Sequence, residues 1–489
     1  MNCKCRAFVA SIWMLFLLMT LSLSCGGGGE EEVPTPNPNP VPQNYPAVVF
    51  TPSLWTQLGP TGTPPAPRER HASVYDAAND RLIIFGGRSA SQCFSDTWVL
   101  ANASGTTGPT SWIPLSTTGM IAPARYSVVA AYNSSKNMLI VFGGVDANGF
   151  PRTGFWVLTN ANGLEGTTPT WMQATIWGTP PTARAGVAGT YDEANDTIIF
   201  FGGANFSASG GTLYNETWII RDVTGSPSWC KLNPAGTLPT ARRDASAVYD
   251  AASNRLIIFG GNTSTANPPG PSARVNDTWV LSNANGVGDT PTWSQLDTLD
   301  KPAARSGHTA VFDDTNKRML VFAGAGTDGY LRNDVWVLAN AGETTSSWAA
   351  YDTGNSLPTP RAYQSTVYTG SANNKMLMFG GNAGTNRSDN DVWVLRGANG
   401  VPSTPVTNIT IKAASTDLFV GYTLQLVAVS TDASNSEVSG VLYTWRSSNT
   451  EVATVSSLGL VTGIGAGTTT ITVSSGDVSS QINIIIHRL

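Results

Sequence analysis

Short apolar runs that end in a pair of glycines form the clearest hydrophobic pattern of the chain. The run Arg81–Gly87, RLIIFGG, returns letter for letter at Arg255–Gly261, and related runs read NMLIVFGG and KMLMFGG. Consecutive apolar positions, rather than alternating ones, indicate strands that are buried on both faces. We therefore predict a β-protein in which each sheet lies between other sheets.

Each apolar run belongs to a larger repeated unit, and a recurring arginine gives its register. The six copies of this arginine lie 56 to 63 residues apart: Arg68, Arg125, Arg184, Arg242, Arg305 and Arg361. An aromatic residue follows each arginine after seven positions, and the glycine pair, replaced by Ala323-Gly324 in the fifth copy, follows about eighteen positions after the arginine. One tryptophan precedes each arginine and another follows each glycine pair.

Every unit carries four short strand signals separated by turn residues, which is typical of a propeller blade. We name these strands a to d. Strand a is rich in small residues, which suits the crowded centre of a ring, and strand b is the apolar run. A strand d signal at Leu54–Leu58 precedes the first strand a, whereas the last unit stops after strand c near Arg396. We predict that this N-terminal strand completes the sixth blade and closes the ring.

The repeat resembles the kelch family. Its strand b ends in Gly-Gly, an Asn-Asp-x-Trp stretch such as Asn333–Trp336 follows, and a spaced tryptophan comes next. The Tyr-Asp that commonly follows strand c in that family is replaced by Asn-rich loops such as SNANGVGD. The resemblance implies a six-bladed kelch-type β-propeller over residues 47–402. The altered loops weaken the transfer of any particular kelch function.

A second unit, residues 403–489, follows the break at Val401–Pro405. Stretches such as YTLQLVAV and TTTITVSS alternate apolar and polar residues, which indicates a small β-sandwich. The segment resembles the bacterial Ig-like domain of group 2. The residues that carry the resemblance are Gly421, Trp445, Ser447, Ser448, Asn449, Val452, Ala453, Gly459, Gly465 and Gly467. The resemblance implies a surface spacer or an adhesive module.

The first residues predict export from the cytoplasm. Lys4 and Arg6 precede an uncharged apolar run, so residues 1–25 are expected to be a secretory signal. Ser22–Cys25 resembles the bacterial lipoprotein signal, which implies that Cys25 is lipidated and anchors the protein to the outer membrane or cell surface. An ordinary signal peptide or an uncleaved anchor is the alternative. Residues 26–46, rich in Gly, Glu and Pro, are expected to be an extended tether.

Composition and charge restrict the classes of partner that the protein can bind. The chain has a formal net charge of −5 and only 12% charged residues. This argues against a nucleic-acid partner, because phosphate binding needs a basic face. Beyond Cys25 only Cys93 and Cys230 follow, and two distant cysteines form neither a disulfide framework nor a tetrahedral zinc set. They are either incidental thiols or one bridge, and we expect no metal and no cofactor.

The glycine pairs and the arginines are the candidates for chemistry. A phosphate-binding loop needs a helix after its glycines, and no helical periodicity follows any of the six pairs, so we interpret them as packing elements. The six arginines each open a strand a near one mouth of the central channel. Together they could form a cationic ring for a carboxylate or sulfate ligand. In the alternative, each ties the preceding loop to its own blade by binding backbone carbonyls.

Other polar positions receive structural interpretations. His71 and His308 share one register in which three of the other four copies carry apolar residues and the sixth carries Gln364, so we expect them to pack between blades. The aspartates at the end of strand a are expected to be turn residues; they are Asp76, Asp192, Asp250 and Asp313. The loops between strands b and c of the third and fourth repeats are the longest. They are either the binding loops or neutral insertions.

The best interpretation of the sequence is an exported, lipid-anchored surface protein that binds a glycan or a protein ligand through its propeller loops. An extracellular carbohydrate-active enzyme with carboxylates on the loop face is one alternative. A cell-envelope scaffold without a small ligand is the other.

Overall fold

A computed structural model describes residues 54–106, 108–207, 210–266, 271–298, 300–354, 356–384, 387–402, 404–438 and 440–488. The predicted signal 1–25 with Cys25, and the predicted tether 26–46, lie outside the described residues. The described part is all-β, as the sequence predicts, and its one helical element is the 3-10 turn Pro271–Ala273. This part of the chain contains no helix long and apolar enough to cross a membrane.

Residues 54–396 build six antiparallel sheets, each with the order a-b-c-d from the inside outwards. The innermost strands a are Ala72–Asp76, Val129–Asn133, Ala188–Asp192, Ser246–Asp250, Thr309–Asp313 and Ser365–Tyr368. The strands b are Arg81–Phe85, Met138–Phe142, Thr197–Phe201, Arg255–Phe259, Arg318–Gly326 and Lys375–Asn382. Each strand a lies beside the strands a of both neighbouring sheets, and those of the first and sixth sheets are neighbours. The sheets therefore form a closed ring, a β-propeller.

Two further strands complete each sheet. The strands c are Thr97–Ala101, Phe155–Thr159, Thr217–Arg221, Thr278–Ser282, Leu331–Ala339 and Ser388–Arg396. The outermost strands d of sheets one to five are Ser111–Pro114, Thr170–Ala174, Ser228–Leu232, Thr292–Leu296 and Ser347–Tyr351. Shorter strands in the connections are Thr118–Gly119, Arg125–Tyr126, Val145–Asp146, Ala204–Ser207, Gly210–Leu213, Ala235–Gly236 and Arg305–Ser306.

The N-terminal strand closes the sixth sheet, which confirms the predicted closure. Trp55–Leu58 pairs antiparallel with Ser388–Arg396, and Trp55 lies opposite Leu395. The two strands come from opposite ends of the propeller sequence. The ring is therefore held shut by main-chain hydrogen bonds between its first and last strands.

Aromatic contacts join every sheet to the next. The strand d tryptophan of each sheet packs on a strand b phenylalanine of the preceding sheet, with ring centroids 4.9–5.2 Å apart. The pairs are Trp171–Phe85, Trp229–Phe142, Trp293–Phe201, Trp348–Phe259, Trp55–Phe322 and Trp112–Phe379. Because strand b is buried on both faces, these contacts form the continuous core between sheets.

The glycine pairs are packing elements, as predicted. A Cβ on Gly86 would lie 2.6 Å from the carbonyl oxygen of Arg125, and one on Gly87 would lie 2.7 Å from the Cβ of His71. The Gly87 N–H donates to the Arg125 carbonyl at 2.9 Å. Both glycines have positive φ, 65° and 94°. A side chain is therefore excluded by space and by backbone conformation together.

Residues 408–487 form a two-sheet β-sandwich. One sheet contains Asn408–Ala413, Thr423–Thr431, Leu460–Gly463 and Ala453–Val455; the other contains Asp417–Phe419, Val478–His487, Gly467–Ser475 and Thr444–Ser447. The sandwich touches the propeller beside the closing strand. Leu442, which precedes the sandwich strand Thr444–Ser447, packs against the cluster that contains Trp55.

Candidate functional site

The six repeat arginines are buried, with at most 4% of their surface exposed. Each Nε donates to the carbonyl two residues earlier at 2.9–3.0 Å. Each Nη1 donates to the carbonyl of the first residue of the glycine pair, or of Ala323 in the fifth sheet, at 2.8–3.3 Å. These bonds tie the loop before strand a to the end of strand b.

In five sheets the repeat arginine and its hydrogen-bond acceptors, which we call the anchor, include a carboxylate. It stands two residues before the strand c tryptophan and accepts from both the guanidinium and that tryptophan's indole N–H. The five arginine–carboxylate pairs are Arg68–Asp96, Arg184–Glu216, Arg242–Asp277, Arg305–Asp334 and Arg361–Asp391, at 2.5–2.7 Å. The guanidinium groups are thus directed into the protein. This geometry supports the structural alternative for Arg68, Arg125, Arg184, Arg242, Arg305 and Arg361, and we do not place a ligand ring on them.

The histidines pack between sheets, as expected. His71 Nε2 lies 2.7 Å from Ser365 Oγ, and the His71 ring meets Phe379 edge-on. His308 Nε2 lies 2.9 Å from Ser246 Oγ. Burial and the adjacent repeat arginine lower the pKa of each histidine to about 3.

Acid should destabilise the propeller in two stages. Below about pH 6.5 the unfolded chain binds protons at His71 and His308 that the folded chain, with pKa values of about 3, does not bind, so stability falls as pH falls. Below about pH 4 the carboxylates of the anchors also bind protons, which lowers the stability of the fold further. Burial opposes ionisation of Glu216, but hydrogen bonds from Lys231, Arg184 and Trp218 lower its pKa to about 2. Urea unfolding at pH 7, 5 and 3 measures the trend.

Gln364 occupies the histidine register in the sixth sheet, so the double variant His71→Gln, His308→Gln is the matched control. It should flatten the stability profile between pH 6.5 and 4 and leave the steeper fall below pH 4. Identical profiles for both proteins would contradict the assignment.

The other polar residues that the sequence analysis singled out also have structural roles. The aspartates at the end of strand a accept from nearby turn residues, which confirms the turn interpretation. Asp76, for example, accepts from Ala78 N and Asn79 Nδ2 at 3.2 and 2.8 Å. Cys93 and Cys230 are free thiols. The described residues contain no cluster of His, Cys, Asp or Glu arranged to hold a metal ion.

The mouth of the central channel is where the repeats differ. We define the mouth ring as the residue two positions after each arginine: Arg70, Ser127, Gly186, Asp244, Gly307 and Tyr363. All six have φ between 53° and 65°, a conformation that favours glycine. In five members the backbone N–H donates to the carbonyl oxygen of the mouth-ring residue in a neighbouring sheet, at 2.7–3.0 Å. Four members nevertheless carry side chains and therefore hold backbone strain. Strain of this kind clusters at functional sites.

Three of these side chains form one polar cluster with a fourth close by. Arg70 Nη1 lies 3.1 Å from both Asp244 Oδ1 and Ser127 Oγ, and the guanidinium covers the Tyr363 ring at 3.5 Å. Burial alone would lower the pKa of Arg70, but Tyr363, Asp244 and Glu69 raise it above its ordinary value. The ring lines a cavity of about 150 Å³, which adjoins a second of about 250 Å³ along the strands a. The mouth therefore presents fixed donors, acceptors and an aromatic ring.

The long loops of the third and fourth sheets stand beside this cluster. Arg243, next to Asp244, lies over the Phe206 ring at 4.1 Å and donates to the Ala266 carbonyl at 2.6 Å. Phe206 belongs to the hairpin of the third sheet, and Ala266 to the loop of the fourth. One buried arginine thus connects both long loops to the mouth ring. This placement favours binding loops over neutral insertions.

The sequence pattern does not by itself single out the mouth ring. The available signal is that this position varies among Arg, Ser, Gly, Asp, Gly and Tyr while the arginine two residues before it is constant. Two glycines among six copies also hint at a left-handed backbone. The carboxylate of the anchor has a clearer signal, an Asp or Glu two residues before the strand c tryptophan in five copies.

Two family models and one solved structure are similar to parts of this chain. The family model described as the KLHDC2/KLHL20/DRC7 Kelch-repeats domain matches residues 28–221, 106–281 and 270–416, and the model of the bacterial Ig-like domain (group 2) matches residues 405–486. A solved structure titled "Structure of YjhT" has 17% identity and a TM-score of 0.47, and covers 70% of this chain and 96% of its own.

Curated relatives match over shorter stretches. The flagellar outer-arm dynein alpha chain of Chlamydomonas reinhardtii is 29% identical over 34% of this chain and 3% of its own length. An F-box/kelch-repeat protein of Arabidopsis thaliana is 26% identical over 40% of each chain. The Rab9 effector protein with kelch motifs of Mus musculus is 26% identical over 43% of this chain and 51% of its own. The chain thus spans about half or less of these relatives.

The kelch matches together cover well over half of the chain and coincide with the sheets of the ring, and the Ig-like match coincides with the sandwich. Kelch repeats suggest protein or ligand binding. The chain belongs to the Kelch-repeat family and carries a bacterial Ig-like group 2 domain at its C-terminal end.

Proposed function

We propose that this protein is an exported, lipid-anchored binding protein of the bacterial surface whose mouth ring and long loops bind a glycan or protein ligand. The observation that carries the proposal is the set of non-equivalent side chains at equivalent positions of the mouth, namely Arg70, Ser127, Asp244 and Tyr363. A purely structural ring has no need of them, because glycine fits this conformation better and two copies carry it. Ligand sites in repeat proteins break the repeat symmetry in this way.

The chemistry of the mouth suits a hydroxyl-rich or polar ligand. The cluster offers charged groups of both signs whose positions are fixed by hydrogen bonds. Neighbouring Glu69 and Arg88 form another pair at 2.8 Å. Pre-positioned polar groups lower the entropic cost of ordering a ligand. The Ig-like domain would serve as the second module of an adhesion protein.

A glycan array with the full chain distinguishes the proposed function from its alternatives. Saturable binding without product supports glycan binding at the mouth. Product formation would instead indicate a carbohydrate-active enzyme. If no glycan is retained, a pull-down with surface proteins tests the protein ligand, and failure of both assays would overturn the binding proposal in favour of a scaffold.

Lipid anchoring is tested at Cys25. Cells that express the full chain should incorporate labelled palmitate into it, and the variant Cys25→Ala should lose the label, because the resemblance to the lipoprotein signal assigns the lipid to this cysteine. Cys93→Ala is the matched control and should keep the label. Equal labelling of Cys25→Ala and the unmodified sequence would contradict the anchor.

A further inference from the structure

The second sheet departs from the other five at the anchor. In those sheets an Asp or Glu two residues before the strand c tryptophan accepts from the arginine and from the indole N–H. The second sheet has Gly154 at this position. It therefore keeps both donors, Arg125 and Trp156, and has lost the acceptor that they share elsewhere.

Both donors face the space beside Gly154. A Cβ on Gly154 would lie 2.9 Å from Trp156 Nε1 and 3.4 Å from Arg125 Nη1. Trp156, only 5% exposed, has no hydrogen-bond partner for its Nε1. Arg125, 4% exposed, donates to the backbone carbonyls of Pro123 and Gly143, at 3.0 and 3.1 Å. A buried indole N–H without a partner and a buried guanidinium without a counter-ion are both unfavourable.

No carboxylate of the described residues bonds to the Arg125 guanidinium, although the charge of Asp146 partly offsets the lowering of the Arg125 pKa by burial. Asp146 lies on the strand that pairs with Arg125, but its carboxylate accepts from Asn148 N at 2.9 Å, from Phe150 N at 3.0 Å and from the Arg152 guanidinium. No carboxylate oxygen in the described part lies within 4 Å of the Arg125 guanidinium. Arg125, Arg152 and Asp146 together leave one positive charge unbalanced.

A small anion can reach this position from solvent. The equivalent carboxylates of the other sheets have side-chain exposures between 20% and 39%. Gly154 itself is partly exposed. An incoming carboxylate would therefore keep part of its hydration while it gains the two donors.

We propose that Arg125 and Trp156, with the space left by Gly154, form a binding site for a carboxylate group supplied by another molecule. One carboxylate oxygen would accept from both the indole N–H and the guanidinium, and the other from the guanidinium alone, as Asp96 Oδ2 and Oδ1 do in the first sheet at 2.7–2.8 Å. Charge-assisted bonds of this kind are stronger than neutral ones. The site is separate from the mouth ring and does not depend on its ligand.

Titration of the full chain with sodium formate tests the site. The indole N–H resonance of Trp156, assigned by its loss in Trp156→Phe, should move downfield and saturate at millimolar formate, with sodium chloride as the ionic-strength control. The melting temperature should rise by about 2 °C at 100 mM formate. An unchanged Trp156 resonance would overturn the proposal.

Two variants separate a specific site from a general salt effect. Gly154→Asp supplies the carboxylate from the chain, after a shift of the indole by a few tenths of an ångström, and should abolish the response to formate. Asp96→Gly recreates the arrangement in the first sheet and should roughly double the rise in melting temperature. An equal response in all three proteins would contradict the site even if Gly154→Asp folded poorly, because Asp96→Gly tests it independently.

Glucuronic acid and N-acetyl-aspartate then distinguish the source of the carboxylate. Stronger displacement of formate by glucuronic acid indicates an acidic sugar, and stronger displacement by N-acetyl-aspartate indicates an acidic side chain. Failure of both to displace formate would contradict a site for a carboxylate carried by a larger molecule.

Discussion

Trp55→Ala should lower the free energy of unfolding by about 3–5 kcal/mol, the range for a buried tryptophan reduced to alanine. Trp55 is 3% exposed and packs on Phe322 at 5.0 Å between ring centroids. It also lies in the only strand that joins the two ends of the propeller sequence within the described residues. Its loss therefore weakens one of six sheet-to-sheet contacts and the closure of the ring together.

Deletion of Leu54–Leu58 should destabilise the propeller further, because Ser388–Arg396 then becomes an exposed edge strand. Chemical denaturation monitored by tryptophan fluorescence measures both changes. Trp177→Ala is the control: Trp177 is 68% exposed, so its loss should change stability by no more than about 0.5 kcal/mol. A deletion that melts at the same temperature as the intact chain would contradict the closure model.

Arg305→Met should cost about 3 kcal/mol of folding free energy, the lower end of the range for breaking a buried ion pair. The substitution removes the arginine donors of the Ala303 and Ala323 carbonyls and of the Asp334 carboxylate, which keeps the indole N–H of Trp336 as a donor. The lower end applies because the Asp334 side chain is 34% exposed and can regain water.

Arg125→Met is the matched control for Arg305→Met, because Arg125 makes the same backbone bonds and has no carboxylate partner in the described part of the chain. Its loss should cost clearly less than that of Arg305, and urea denaturation at neutral pH compares the two. Equal losses would show that the carboxylate contributes nothing to the anchor.

The sequence carries enough information to predict the strands and their order. A run such as RLIIFGG is apolar on consecutive positions, and the observed strand b is buried on both faces for that reason. The early strand d signal also predicts closure, because one strand is left over at each end of the repeat array. These features depend on local periodicity and on the number of strand signals, and both can be read from the sequence.

The sites were harder to predict because they depend on contacts between residues that are far apart along the chain. Arg68 and Asp96 are 28 residues apart, and only the folded sheet brings them together. Arg70 and Asp244 are 174 residues apart and meet across the channel. The sequence therefore led us to consider the buried arginines as a ligand ring, whereas the polar side chains that face the channel stand two residues later.

The double variant Arg70→Gln, Asp244→Asn gives the decisive comparison for ligand binding at the mouth. The matched control, Lys317→Gln with Asp250→Asn, removes a charged pair at the other end of the same strand a. We would titrate both variants and the unmodified full chain with the glycan most strongly retained on the array. The proposed mouth site predicts at least a tenfold loss of affinity for the first variant and none for the second. Equal affinity of all three proteins would contradict ligand binding at the mouth.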